Sequence, residues 1–218
     1  MFNWFQKICQ TKPMALPAYP ASDPKLKGVW KGTGRIDRSM TTETANYVKN
    51  RYPQISWLNE GAYGVAFDCK PGTVCKITDQ RTEAQNALKF KLNPNSSVVR
   101  IFKVSPIQRN NKSLWIIEME KVKTLNIQEQ QVYREIFKCF ERNNLLEWNM
   151  SFNACLKEKQ LAAEHIVGEN NPLILKITQG IDNLWKNLDE NLLEDAHHNN
   201  VGWNEQGNLV IFDLGTVS

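Results

Sequence analysis

Two patterns of apolar residues divide the chain. From about residue 54 to 120 the apolar runs are short, rich in β-branched and aromatic residues, and punctuated by Gly and Pro. These features predict strands at about 54–60, 63–69 and 72–78, broken by Gly61 to Gly64 and by Pro71-Gly72. Two more are predicted at Val98–Val104 and Leu114–Glu120. Between the third and fourth strands a helix is predicted at about 80–92, with Asp79 as N-cap and Asn93-Pro94 as its stop. From Gln128 to Asn191 alternation gives way to three- and four-residue spacing. Val132, Ile136 and Phe140, with Tyr133 and Phe137, mark one amphipathic helix; Phe152, Leu156 and Ala163 mark a second. Ile177, Ile181, Leu184, Leu188 and Leu192, with Trp185, mark a third that starts near 173 and runs into Asp195. A hairpin closes the pattern: Val201-Gly202-Trp203 goes out, Asn204 to Gly207 turns, and Leu209 to Phe212 returns.

Against this background a few polar residues stand out. Lys76 interrupts the apolar strand Val74-Cys75-Lys76-Ile77, where an ammonium is costly unless it is paired. Gly61, Ala62, Tyr63 and Gly64 form a hairpin tip where main-chain amides can approach and cover a phosphate. Near the C-terminal end, Asp195-Ala196-His197-His198-Asn199-Asn200 places an Asp five residues before an Asn, and Asp213-Leu214-Gly215 follows the hairpin. Each feature alone has an ordinary explanation: a solvated loop, a tight turn, a strand lysine reaching water.

Taken in order, these segments resemble the protein-kinase superfamily over about residues 54–218. The resemblance implies an α+β, bilobal protein-kinase-like fold, with a five-stranded antiparallel small lobe and a reduced, mostly helical large lobe. It divides the chain into an N-terminal extension (1–52), a small lobe and hinge (53–122) and a large lobe (123–218). It also implies ATP and Mg2+ as cofactors of a phosphotransferase, most simply a small protein Ser/Thr kinase. A kinase-like binding module acting by contact with a partner is the alternative. By the same resemblance, Gly61 to Gly64 cover the phosphates and Lys76, paired with Glu83, holds them. The main chain of Glu120 to Val122 meets the adenine next to Met119, Asp195 accepts the proton of the attacking hydroxyl, and Asn200 and Asp213 hold magnesium.

Departures from the family pattern narrow it. Asn59 replaces the first glycine of the loop, and Leu193-Glu194 replaces the His-Arg that usually precedes the catalytic Asp. His197 gives Asp-x-His-x-x-Asn, which resembles the aminoglycoside-phosphotransferase branch and small, divergent bacterial and phage protein kinases. Only Thr216-Val217-Ser218 follows Asp-Leu-Gly, so the segments that dock peptides in larger kinases are not expected.

Composition adds boundaries. The apolar runs are strand-length, so no transmembrane helix is expected, and residues 1–10 do not read as a signal peptide. Five scattered cysteines without metal-type spacing are expected to be reduced thiols in a cytoplasmic protein. Residues 1–52 carry nine Lys or Arg against three acids, and the remainder eighteen against twenty, net charges of +6 and −2. The basic segment suits either a recruiting arm for an acidic partner or a docked extension that braces the small lobe through Trp4, Phe5, Tyr19 and Trp30. The expected partner is a protein substrate or target, and nucleic acid is not expected.

Overall fold

Five antiparallel strands, ordered β1-β2-β3-β5-β4, form the larger sheet: β1 (Ser56–Glu60), β2 (Gly64–Lys70), β3 (Thr73–Thr78), β4 (Ile101–Arg109) and β5 (Lys112–Glu120). The computed structural model describes residues 46–53, 55–60, 64–109, 112–140 and 151–215. The described residues fall into two compact units, divided at Lys121/Val122, with Asn95–Val99 belonging to the second.

In the first unit, side chains alternate across the sheet. Cys75 and Ile77 of β3, with Leu114 and Ile116 of β5, join Val65, Phe67 and Ile107 in one apolar cluster. Helix α1 (46–51) contributes the fully buried Val48 to this cluster, with Tyr47 and Tyr52 packed beside it. Glu118, on the same strand face as Ile116, lies 3.6 Å from Arg51 and 3.9 Å from Lys70. Tyr52 hydrogen-bonds to Glu118, and burial together with that carboxylate pushes its phenol up to about 12. Residues 46–52 are therefore built into the core of the five-stranded sheet. The earlier part of the extension lies outside the described residues.

Helix α2 (Arg81–Leu92) packs on β3, β4 and β5 and buries Glu83, Ala84, Ala87 and Phe90. Its start differs from the sequence expectation. Gln80 is the N-cap residue and makes no side-chain cap, whereas Asp79 is exposed. The hydroxyl of Thr78, fully buried at the end of β3, accepts the Gln80 amide at 3.1 Å. The buried hydroxyl thus finds its partner just before the helix, whose first-turn amides receive no side-chain cap.

The fourth strand also shifts. It begins at Ile101 rather than Val98, because residues 95–99 are tied into the second unit. Asn95 Nδ2 donates to the Asn187 carbonyl at 2.8 Å, Ser97 Oγ donates to that of Asn183 at 3.1 Å, and Val98 forms a parallel bridge with Ile211.

The second unit holds helices α3 (Ile127–Phe137), α4 (Phe152–Val167), α5 (Pro172–Asn187) and α6 (Glu190–Glu194). A three-stranded sheet, β6 (Lys123–Thr124), β7 (Val201–Trp203) and β8 (Leu209–Ile211), completes it. Asn126 and Glu129 cap α3 reciprocally, and Asn171 caps α5 with Pro172 at its first position. The long helix expected to reach Asp195 breaks instead at Leu188, which is extended; Asp189 then caps the short α6 by accepting the Leu192 amide at 3.2 Å. A second local cap thus outweighs a continuous apolar stripe. Trp185, expected in the core, is 40% exposed and packs edge-on against Phe140. The β7–β8 hairpin turns at Gly207, whose φ of 78° falls in the left-handed region.

Four cysteines depart from the thiols expected. Cys69 pairs with Cys75 and Cys139 with Cys155 as disulfides, with Cα atoms 6.0 and 5.7 Å apart. Folding creates both pairs: Cys69 lies at the irregularity in the β2–β3 pairing, two residues along β2 from Phe67, which is opposite Cys75, and the packing of α3 on α4 brings Cys139 to Cys155.

Candidate active site

The first group of candidate residues lies in the sheet unit. Lys76 pairs across the sheet with Ala66 of β2 and Ile117 of β5, with its neighbours Cys75 and Ile77 in the apolar cluster. Alternation sends its side chain to the opposite face. There Nζ lies 2.5 Å from Oε1 of Glu83, with side chains 14% and 1% exposed. Glu83 occupies the first turn of α2, where the helix dipole favours a carboxylate. The pair is thus held by two rigid elements.

Gly64 is tied to the same lysine. A Cβ at Gly64 would stand 2.7 Å from the Ile77 carbonyl oxygen and 3.0 Å from Lys76 Cε, so only glycine admits the lysine stem alongside β2. Gly61, Ala62 and Tyr63 lie outside the described residues. At the far end of β5, Glu120 is buried and its amide donates to the Arg100 carbonyl at 2.9 Å; the Lys121 amide donates to Gly72 at 3.0 Å. Both amides are committed within the sheet unit. Val122 begins the second unit, its side chain against Gly202.

The second group lies on the loop between α6 and β7 and just after β8. Asp195 is the C-cap residue of α6, with 14% of its side chain exposed. The loop is fixed mainly through its backbone. The Ala196 carbonyl accepts the buried Tyr133 hydroxyl, the Asn200 amide donates to the His197 carbonyl at 2.8 Å, and the Phe212 amide donates to the Asn200 carbonyl at 2.9 Å. This last bond links the loop to the end of β8 and so to Asp213, whose Oδ1 accepts the Gly215 amide at 3.3 Å.

Within the loop, Asn200 Nδ2 donates to the Asp195 carbonyl at 2.9 Å and lies 3.0 Å from His197 Nε2. That same Nε2 is 3.7 Å from Asp195 Oδ1. Burial lowers the His197 imidazole below its ordinary range, and the negative charge of Asp213 partly opposes this. Asp213 is therefore electrostatically close to the loop, and Asp195, His197, Asn200 and Asp213 form one cluster. Beside it, His198 faces Arg134 Nη2 at 3.0 Å, and burial, that guanidinium and His197 all lower it.

Chemically, the cluster suits a hard cation shared with a ligand. Among the described residues no group of three or more His, Cys, Asp or Glu could hold a metal unaided. Magnesium seldom needs one, because it takes one or two protein oxygens and completes its shell with phosphate and water. The Asp213 carboxylate and the Asn200 amide oxygen are donors of that kind.

Two contributors were hidden in the sequence. Tyr133 reads as part of an apolar stripe, yet a buried tyrosine needs a partner for its hydroxyl and finds the Ala196 carbonyl. The choice of Tyr over Phe at that position was the available signal. The contact of His197 with Asn200 had no signal beyond their three-residue spacing.

Neither a family model nor a curated protein sequence matches the chain. Among the described residues no helix is long and apolar enough to cross a membrane. The solved structures similar to it include aminoglycoside phosphotransferases. The GDP and kanamycin complex of APH(2")-IIia shares 13% identity, with 79% of this chain and 72% of that chain covered and a TM-score of 0.38. The gentamicin complex of APH(2")-IIa shares 13% identity over 82% and 70% of the two chains, with a TM-score of 0.33. The ADP-bound aminoglycoside phosphotransferase APH(2'')-Ib shares 14% over 82% and 70%, with a TM-score of 0.32.

Proposed function

We propose that the chain is an ATP- and magnesium-dependent phosphotransferase acting on a hydroxyl acceptor. The observation that carries this reading is the Lys76–Glu83 pair, at 2.5 Å and almost wholly buried. Desolvating two charges costs several kcal/mol per ion, and an apolar pair of similar volume is often at least as stable. Holding an ammonium rigidly in such a place makes chemical sense where it must meet an anion. In the proposed reaction Lys76, steadied by Glu83, binds the α- and β-phosphates, with the amides of Gly61 to Gly64 over them. The Glu120–Val122 main chain meets the adenine. Asn200 and Asp213 hold magnesium, which when bound neutralises charge on the β- and γ-phosphates. Asp195 orients the acceptor hydroxyl and takes its proton as the oxygen bonds to the γ-phosphorus and the bond to the β–γ bridging oxygen breaks. The two products are ADP and a phosphate ester. The acceptor we propose is a protein Ser or Thr hydroxyl, on a neighbouring protein or on the chain itself.

Intact-mass measurement after incubation with magnesium-ATP tests the reading, using the purified chain alone, a cell lysate and kanamycin as alternative acceptors. Phosphate on the chain or on a lysate protein is the expected result. Phosphate on kanamycin alone would move the acceptor to a small molecule. Binding of magnesium-ATP with no transfer to any acceptor would make the chain a nucleotide-binding module that acts by contact.

A further inference from the structure

We propose that His197 is a positioning residue: its unprotonated Nε2 accepts a hydrogen bond from Asn200 and so turns the Asn200 amide oxygen towards the cation. This role rests on the assignment of Asn200 and Asp213 to magnesium, whereas the contacts of His197 with Asn200 stand apart from it. One terminal atom of Asn200 lies 2.9 Å from the Asp195 carbonyl oxygen and 3.0 Å from His197 Nε2. Were that atom the amide oxygen, it would confront a carbonyl oxygen at hydrogen-bond distance, two acceptors with no proton between them. It is therefore Nδ2, whose two hydrogens serve both contacts, and Oδ1 points away from both.

Nδ2 brings only donors, so His197 Nε2 must carry a lone pair and the neutral ring its proton on Nδ1. One further distance fits and one competes. The nearest carboxylate oxygen, Asp195 Oδ1, is 3.7 Å from Nε2, beyond the reach of a hydrogen bond that an Nε2–H would seek. The Asn199 amide also donates towards Nδ1, at 3.3 Å, and competes with Asn200, because a neutral imidazole cannot accept at both nitrogens; the tautomer proposed is the one that keeps the shorter contact, that of Asn200. Partners that orient a metal-binding side chain commonly govern affinity, and losing one costs about 10–100-fold.

Two measurements on the full chain decide the matter. Long-range 1H–15N correlation spectra of the imidazoles at about pH 8, where an ordinary histidine is neutral, should show His197 as the Nδ1–H tautomer. An Nε2–H tautomer would overturn the proposal, whatever the chain binds. Magnesium titration in the presence of ATP, read as thermal stabilisation, should show His197→Leu needing about tenfold more magnesium or beyond. ATP alone should stabilise that variant as it does the wild type. His197→Gln, which can offer a carbonyl oxygen near the position of Nε2, should recover most of the affinity. His197→Leu equal to wild type, or His197→Gln no better than His197→Leu, would each contradict the role. A wild type with no magnesium-dependent stabilisation would refute the phosphotransferase reading instead, and the tautomer would still decide the His197–Asn200 bond.

Discussion

The two groups of candidate residues are built by opposite means. In the sheet unit, Lys76 and Glu83 satisfy each other, side chain to side chain, in near-complete burial. In the helical unit, Asp195, Asn200 and Asp213 are each partly exposed; the main chain around them is fixed, Ala196 by Tyr133, Asn200 by His197 and Phe212 by Asn200, and the Asn200 side chain is held by the Asp195 carbonyl and His197. A buried charge must be neutralised at rest, whereas an acid that is to meet a cation and an exchangeable hydroxyl must stay accessible. Rigidity then has to come from the backbone. On this account, damage to the first group costs stability first, and damage to the second costs chemistry first.

The largest expected effect is therefore catalytic. Asp195→Ala should lower phosphoryl transfer by about 10²–10⁴-fold, the usual contribution of a positioned proton acceptor. Its melting temperature and its stabilisation by magnesium-ATP should stay near those of the wild type, because the lost group meets the transition state rather than the nucleotide. Transfer assays alongside thermal melts check this, and a large loss of stability would erase the contrast between the two groups.

Next comes the buried pair. Glu83→Ala leaves a largely buried ammonium without its carboxylate and should destabilise the chain by about 3–5 kcal/mol. The double variant Lys76→Met/Glu83→Leu should recover most of that stability while remaining inactive. Denaturant unfolding of the three proteins is the measurement. A double variant as unstable as Glu83→Ala would mean that the charge pair itself supports the fold.

Tyr133→Phe sharpens the comparison at lower cost. Removing the hydroxyl orphans the Ala196 carbonyl and should cost about 1–3 kcal/mol. Because that bond anchors the loop, the drop in transfer should exceed what the fraction unfolded explains. A drop in activity that simply follows the loss of folded protein would reduce Tyr133 to core packing.

How legible each group was in the sequence follows from the same contrast. Lys76 was conspicuous because it breaks an apolar strand, and Glu83 was named through the family's pairing of that lysine with a glutamate on the next helix. Their encounter follows from strand alternation and helix phase alone. The five strands were legible for the same reason. The loop's side chains were named through a motif, but the contacts that hold it come from α3 and β8, far away in sequence, and no local pattern carries them. The two cysteine pairs escaped notice likewise, since only the β2–β3 pairing and the packing of α3 on α4 reveal them. Where local signals compete, as between Thr78 and Asp79 or between the apolar stripe and the Asp189 cap, the outcome depended on burial that the sequence does not display.

Ligand-induced stabilisation most directly tests the proposal that Lys76 and Asp213 each act on magnesium-ATP. Wild type, Lys76→Met and Asp213→Ala would be melted with ATP, with and without magnesium. At saturating magnesium-ATP the wild type should gain on the order of 2–3 kcal/mol. Lys76→Met should lose much of the gain in both conditions, and Asp213→Ala should lose only the magnesium-dependent part. A wild type that gains nothing from ATP with magnesium, or an Asp213→Ala variant as fully stabilised as the wild type, would contradict the account.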